Sequence, residues 1–343
     1  MSAASPTGLA EARVERARAA VANAIERAPS IDLRRMKPAP SREPWSLHAD
    51  ALKFLVALVH ELRPAHILEL GCGLSTRVLA WAAADAEVAC RITSLDNDPE
   101  HAAATARRLE QQELHCPVEL EVAPLVLREV GGEVLPTYLA DLHDLLPAPP
   151  DLVLIDGPPA PLGGREGTLY RVLAVAQPGT VAILDDADRP DEAAILERWQ
   201  ANLGPAVEIQ RLDALTGGMA AIVVRDPVPE AALWEHRLRT AADELSRVAP
   251  HGSTVAVVDD GALESVDHPF PPLWPRGDDA GRRPRDGAAA VQALERVRGR
   301  ADHVAVLWPA NWWLEEYAEL AAALSPLPCI ADGPLFRLYR LSS

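Results

Sequence analysis

The sequence predicts an α/β protein: a doubly wound, mostly parallel sheet of seven strands ending in a hairpin, followed by a second, smaller α/β domain. Three observations carry that prediction. Short apolar runs alternate with amphipathic stretches from Ala65 to Arg225, the pattern of strands joined by crossover helices. One such run leads directly into Gly71-Cys72-Gly73, a glycine-rich strand-to-helix turn. A chain of 343 residues is also too long for one ordinary domain and supplies a core for each of two.

The elements follow in order. Gly8 to Arg27 is Ala-rich, charged and helical, and stops before Pro29. Met36 to Trp45 holds three prolines and is expected to be an entry loop. A helix over Leu47–Leu62 places Leu52, Leu55, Val56 and Val59 on one face. Ala65–Leu70 is a strand and Ser75–Ala84 a helix. Arg91–Asp96 is the next strand, and Pro99–Glu110 a helix with Asn97 and Asp98 as capping candidates. Val118–Val122, Asp151–Asp156 and Thr180–Asp185 complete five strands, with helices near Gly167–Ala176 and Asp191–Leu203. Val207–Leu212 and Met219–Arg225 flank a Gly-Gly turn and make the hairpin. Pro229–Val248 is expected as a connecting helix. Beyond it lie strands Thr254–Val258, His303–Leu307 and Leu335–Leu341, helices Gly287–Arg298 and Trp313–Leu324, and a loop over His268–Asp286 rich in Pro, Gly and charge. The expected division is 1–45 entry segment, 46–227 first domain, 228–250 connecting helix and 251–343 second domain.

Composition narrows the function. Apolar residues make up 48% and charged residues 24%, the balance of a globular protein rather than a disordered one. The net charge of -17 repels phosphate backbones and anionic lipid, so nucleic acid and membranes are poor partners. The four cysteines, Cys72, Cys90, Cys116 and Cys329, show no C-x-x-C pairing and signal neither a zinc site nor a disulfide framework. No apolar run is long enough to span a bilayer and the N-terminus has no apolar signal core, so the cytoplasm is the expected compartment.

The candidate cofactor site is the run Ile67-Leu68-Glu69-Leu70-Gly71-Cys72-Gly73-Leu74-Ser75-Thr76. Gly71 and Gly73 allow a sharp turn and close approach of a ligand. Ser75-Thr76 stands where a third glycine would serve a pyrophosphate, and Asp96 ends the second strand, where a carboxylate can accept from ribose hydroxyls. The combination suits a nucleoside without phosphates better than a dinucleotide; a bare strand–helix turn is the plainer alternative. The run resembles motif I of the class I S-adenosylmethionine-dependent methyltransferases, in the form E-x-G-x-G-x-S-T. That resemblance implies a Rossmann-like methyltransferase sheet, S-adenosyl-L-methionine as cofactor, and Glu69, Gly71, Gly73, Ser75, Thr76, Asp96 and Asp156 as its binding residues. Ala123-Pro124-Leu125 is a candidate adenine wall.

The second constellation is acidic. One strand ends on Asp156 and another on Asp185-Asp186; in the methyltransferase sheet that the resemblance implies these strands are neighbours, about 4.8 Å apart, so their carboxylates are expected to converge. Close carboxylates repel unless a cation or protons intervene. One reading is a divalent ion such as Mg²⁺ on Asp156, Asp185 and Asp186 that lowers the pKa of a substrate hydroxyl. The other makes Asp156 or Asp186 a general base without metal. Catechol O-methyltransferase-like enzymes, which this arrangement resembles, place metal carboxylates after the same two strands; their third ligand, an Asn, is Ala187 here. The phrases I-D-G-P-P and L-D-D-A-D-R-P resemble one bacterial methyltransferase subgroup over about Trp45–Asp226. Arg165 is expected as a solvated loop arginine, with clamping of an anionic acceptor as the alternative. Trp45 and Tyr170 are expected to pack, with a place in a pocket wall as the alternative.

The C-terminal segment, from Ser253 to Leu341, resembles a small α/β module of bacterial surface-polysaccharide enzymes on Trp308, Pro309, Trp312, Trp313 and Tyr317. Trp313, Tyr317 and Leu320 recur at helical spacing and are expected in the core, leaving Trp312 and Trp274 as candidate sugar platforms. Together these readings predict a two-domain methyltransferase acting on a small-molecule or saccharide hydroxyl by O-methylation. A non-catalytic cofactor-binding or tethering module in a polysaccharide-assembly complex is the alternative.

Overall fold

The computed structural model describes residues 6–40, 46–112, 116–274 and 283–341. The chain divides into two compact units: one holds the chain up to Gln200 together with Pro205–Leu233, the other Ala201–Gly204 together with the chain from Trp234 onward.

The first unit opens with α1 (Pro6–Arg27) and α2 (Ala49–Leu62). Val14, Ala17, Val21 and Ala24 of α1 form one helical stripe and join the core that α2 fills with Phe54, Leu55 and Leu58. Next come β1 (His66–Leu70), α3 (Leu74–Asp85), β2 (Arg91–Asp96), α4 (Pro99–Glu110) and β3 (Val118–Val122). Asp98 caps α4, its side chain accepting from the N–H groups of Glu100 and His101. An antiparallel ribbon, β4 (Leu125–Val130) and β5 (Glu133–Tyr138), follows β3 and then a short α5 (Leu142–Leu145). The chain returns through β6 (Leu152–Ile155), α6 (Glu166–Leu173), β7 (Val181–Asp185), α7 (Pro190–Leu203), β8 (Val207–Arg211) and β9 (Met219–Val224).

These strands make the expected seven-stranded sheet in the order β3-β2-β1-β6-β7-β9-β8. The first five are parallel, and β9 and β8 run antiparallel as the terminal hairpin. β1, β6 and β7 are buried along their whole length, which is why they are near-continuous apolar runs. Because Leu70 pairs with both Leu95 and Ile155, and Ile155 with Leu184, the carboxyl ends of β1, β2, β6 and β7 reach one edge together. The chain reverses its winding at β1 and β6, and the crevice at such a point is where open α/β sheets bind ligands. The ribbon β4–β5 is an addition to the sequence-based layout.

In the second unit a four-stranded sheet runs β10-β11-β13-β12, from β10 (Val255–Val258), β11 (His303–Leu307), β12 (Cys329–Asp332) and β13 (Phe336–Arg340). β10 and β11 are parallel; β13 is antiparallel to both of its neighbours. One face packs on Leu238, Ala241 and Leu245 of α8 (Leu233–Val248). The segment expected as a connector thus contributes to this unit's core. The other face packs on α9 (Gly287–Val297), α10 (Trp313–Glu316) and α11 (Ala318–Leu324). Trp313, Tyr317 and Leu320 are buried there as expected, but the single helix predicted over Trp313–Leu324 breaks at Tyr317 (φ −105°, ψ 75°). The Tyr317 hydroxyl donates to the Pro284 carbonyl at 2.9 Å, a tertiary bond that local helical pattern does not reveal. Among the described residues no helix is long and apolar enough to cross a membrane.

Candidate active site

The β1–α3 turn is built from the strand outward. Gly71 has φ +96°, and its N–H bonds the Leu95 carbonyl at 2.8 Å. A Cβ at Gly71 would lie 3.1 Å from the Gly157 nitrogen, so only glycine lets this turn meet the loop after β6. Gly73 donates its N–H to Thr76 Oγ1 at 2.8 Å, and the Thr76 hydroxyl in turn donates to Glu69 Oε2 at 2.5 Å. Ser94 of β2 donates to the same oxygen at 2.6 Å. Glu69 is fully buried, and burial pushes its carboxyl up to about 7 against the opposing pull of the Ser75, Ser94 and Thr76 hydroxyls. Glu69, Gly73, Ser75 and Thr76 therefore stand behind the turn as its framework, while Gly71 and Asp96 line the cleft in front of it.

That cleft has a volume of about 620 Å³ and lies at the carboxyl ends of β1, β2, β6 and β7. Asp96 is 7% exposed, with Oδ2 accepting the Cys72 N–H at 3.0 Å and Oδ1 the Asp98 N–H at 2.8 Å. Each oxygen keeps acceptor capacity for a further donor. His101, in the first turn of α4, donates from Nε2 to the Cys72 carbonyl at 2.8 Å and joins the wall. Tyr138, at the end of β5, forms another wall; a Cβ on Gly157 would collide with its hydroxyl. Sequence reading missed both residues. Gly131-Gly132 between two alternating runs is the hairpin signal that locates Tyr138. Ala123, Pro124 and Leu125 do not line the cleft. Tyr170 is buried as packing, and Trp45 lies outside the described residues.

Asp156, Asp185 and Asp186 do come together, with one carboxylate oxygen of each within 4.8 Å of the others. The surprise is what lies among them. Arg165, expected to be solvated, is 3% exposed and sends NH2 to Asp156 Oδ1 at 3.0 Å and to Asp186 Oδ2 at 3.1 Å. Its NH1 donates to the Asp185 backbone carbonyl at 2.6 Å. The charged partners explain the burial: carboxylates hold a desolvated guanidinium in place. Glu192, 1% exposed, stands 3.9 Å from NH1 on the far side. Burial lowers and the surrounding carboxylates raise the Arg165 pKa, and the carboxylates prevail. Burial drives Asp156 well above the usual carboxylate range, with Arg165 opposing and Asp185 and Asp186 adding to the rise. Burial and the neighbouring Asp186 push Asp185 up to about 6. Asp186 adopts φ +58° and is also bound by Arg189 NH1 at 2.8 Å.

Residues 68–187 match a family model described as a methyltransferase domain. Among curated proteins none matches the chain. Solved structures similar to it include the methyltransferase PaMTH1 of Podospora anserina bound to SAH, 16% identical, covering 60% of this chain and 88% of that one at a TM-score of 0.41. An O-methyltransferase from Bacillus cereus in complex with SAH is 21% identical over 60% and 90%, TM-score 0.40. The O-methyltransferase TomG of Streptomyces achromogenes, in complex with SAM, is 20% identical over 60% and 89%, TM-score 0.39. The matched domain runs from within β1 to just past β7 and includes most of the residues that line the cleft. It defines the class of this stretch, a methyltransferase domain.

Proposed function

We propose that the first unit transfers a methyl group from S-adenosyl-L-methionine to a hydroxyl oxygen of a small molecule, a saccharide hydroxyl included. Asp96 is the observation that carries the reading. It is the carboxylate at the end of β2, tied to the β1–α3 turn by the Cys72 N–H and facing the cleft with acceptor capacity to spare. A nucleoside's vicinal hydroxyls are the donors such a group recognises, and Gly71 leaves the adjoining backbone bare for close approach.

When bound, the cofactor supplies an electrophilic methyl on a sulfonium. This chain's residues supply the rest. Asp156 lines the same cleft and has a side chain 18% exposed, so a ligand can reach it. Burial raises its pKa above the usual carboxylate range, which makes its carboxylate a stronger proton acceptor for an acceptor hydroxyl than a free one. Asp186 is held by both Arg165 and Arg189. Asp96, Asp98, Asp156, Asp185 and Asp186 outnumber Arg165 and Arg189 around the cleft, which favours a neutral or cationic acceptor over a carboxylate or phosphate. The arrangement holds the acceptor in place, and positioning supplies much of the acceleration in such a transfer.

The test is calorimetric titration of the full chain with S-adenosylmethionine and its demethylated product, followed by transfer of labelled methyl to neutral polyols, phenols and sugars. Saturable binding weakened in Asp96→Ala supports the assignment. An absence of heat returns the protein to the non-catalytic alternative, and binding without transfer to any hydroxyl removes the O-methylation.

A further inference from the structure

We propose that the Arg165 guanidinium takes the place of a divalent cation among Asp156, Asp185 and Asp186, so that this chain's reaction runs without metal and Arg165 positions Asp156. The inference rests on the methyltransferase reading above.

The metal implied by the resemblance does not fit the residues present. Mg²⁺ needs oxygens at about 2.0–2.1 Å in near-octahedral array. Here the space between Asp156 Oδ1 and Asp186 Oδ2 is occupied by Arg165 NH2, at hydrogen-bonding distance from each, 3.0 and 3.1 Å. The position after the Asp185-Asp186 pair, where an oxygen ligand is expected, is Ala187, buried and without one. The guanidinium cannot simply swing out, because NH1 is fixed to the Asp185 carbonyl and the side chain is 4% exposed.

The loop that delivers Arg165 is shaped for the purpose. Gly163 and Gly164 have φ of +101° and +76°, and a Cβ on Gly163 would strike the Pro136 ring. These two glycines bring the chain down to Arg165 at the start of α6. One nitrogen of the planar fork then meets two carboxylates from the ends of different strands while the other holds the Asp185 carbonyl, a spread over two nitrogens that a lysine ammonium does not provide. The fork faces Asp156 from one side and leaves it open to the cleft. Arg165 is thus a positioning residue, acting through Asp156.

The experiment titrates the wild-type full chain with Mn²⁺, read by electron paramagnetic resonance, alongside calorimetry with the demethylated cofactor. The cofactor is expected to bind while Mn²⁺ stays free, and turnover should be the same in Mg²⁺ and in EDTA. Stoichiometric Mn²⁺ binding that disappears in Asp156→Asn, or turnover abolished by EDTA, overturns the proposal. Failure of the cofactor to bind overturns the earlier reading instead, and the Mn²⁺ titration still reports on the carboxylate cluster. Arg165→Gln should lower kcat by roughly tenfold or more and move the ascending limb of its pH profile upward, with Arg165→Lys recovering part of both. An unmoved pH profile in a folded Arg165→Gln protein refutes the positioning role. If that variant does not fold, the wild-type titration decides alone.

Discussion

Asp96 accepts the backbone N–H of Cys72 at 3.0 Å, which ties the end of β2 to the glycine turn after β1. One carboxylate therefore both shapes the turn and faces the space in front of it. Asp96→Ala should weaken S-adenosylmethionine binding roughly ten- to hundredfold, the scale of one or two hydrogen bonds to a charged group. Calorimetry measures it, and Asp96→Asn, which retains one acceptor oxygen, should fall between the two.

Glu69 makes stability depend on pH. Its carboxyl is near 4.5 when the chain is unfolded and about 7 when folded, because burial disfavours the charge. The folded state thus holds the proton more tightly, and its stabilising contribution is complete below about pH 4.5 and lost as pH rises through 7. The difference is about 3 kcal/mol. Glu69→Gln keeps an acceptor for Thr76 and Ser94 and should flatten this slope, with denaturant midpoints at pH 5 and pH 8 brought closer together than in the wild type.

Gly71→Ala places a Cβ 3.1 Å from the Gly157 nitrogen at a φ of +96°. A cost of about 1–3 kcal/mol is expected from the backbone strain. Because the strain separates the two loops bordering the cleft, cofactor affinity should fall along with the thermal midpoint. An alanine variant with unchanged affinity would show that the loops' close approach is not needed for binding.

Asp156→Asn removes the carboxylate but preserves its size. Methyl transfer should drop roughly 10²- to 10⁴-fold while cofactor affinity is kept, the division expected when a base rather than a binding group is lost. Single-turnover rates with labelled cofactor separate the two.

Much of the first unit was legible because its strands announce themselves. β1, β6 and β7 are apolar runs bounded by Gly, Pro or Asp, and the glycine turn fixes where the ligand edge lies. Asp96 could be assigned to the cleft from its place at a strand end. Arg165 could not. Its neighbours Pro161, Leu162, Gly163 and Gly164 look like any surface loop, and its burial depends on Asp156 and Asp186, brought to it by the sheet from 9 and 21 positions away. The paired strands β4 and β5 escaped notice although Gly131-Gly132 marks their turn, because the stretch lies between two strands of the main sheet in the chain but outside that sheet in space. In the second unit β12 has four residues just after Pro328 at a sheet edge, too short to show alternation.

The guanidinium shared by Asp156 and Asp186 also dictates how this protein can be re-engineered. Exchanging Arg165 alone leaves Asp156 and the buried Glu192 without their cation, a loss of about 3–5 kcal/mol. Arg165 therefore cannot be exchanged by itself, and a designer or a lineage that wanted a metal here would have to remove it and supply the cation in a single move.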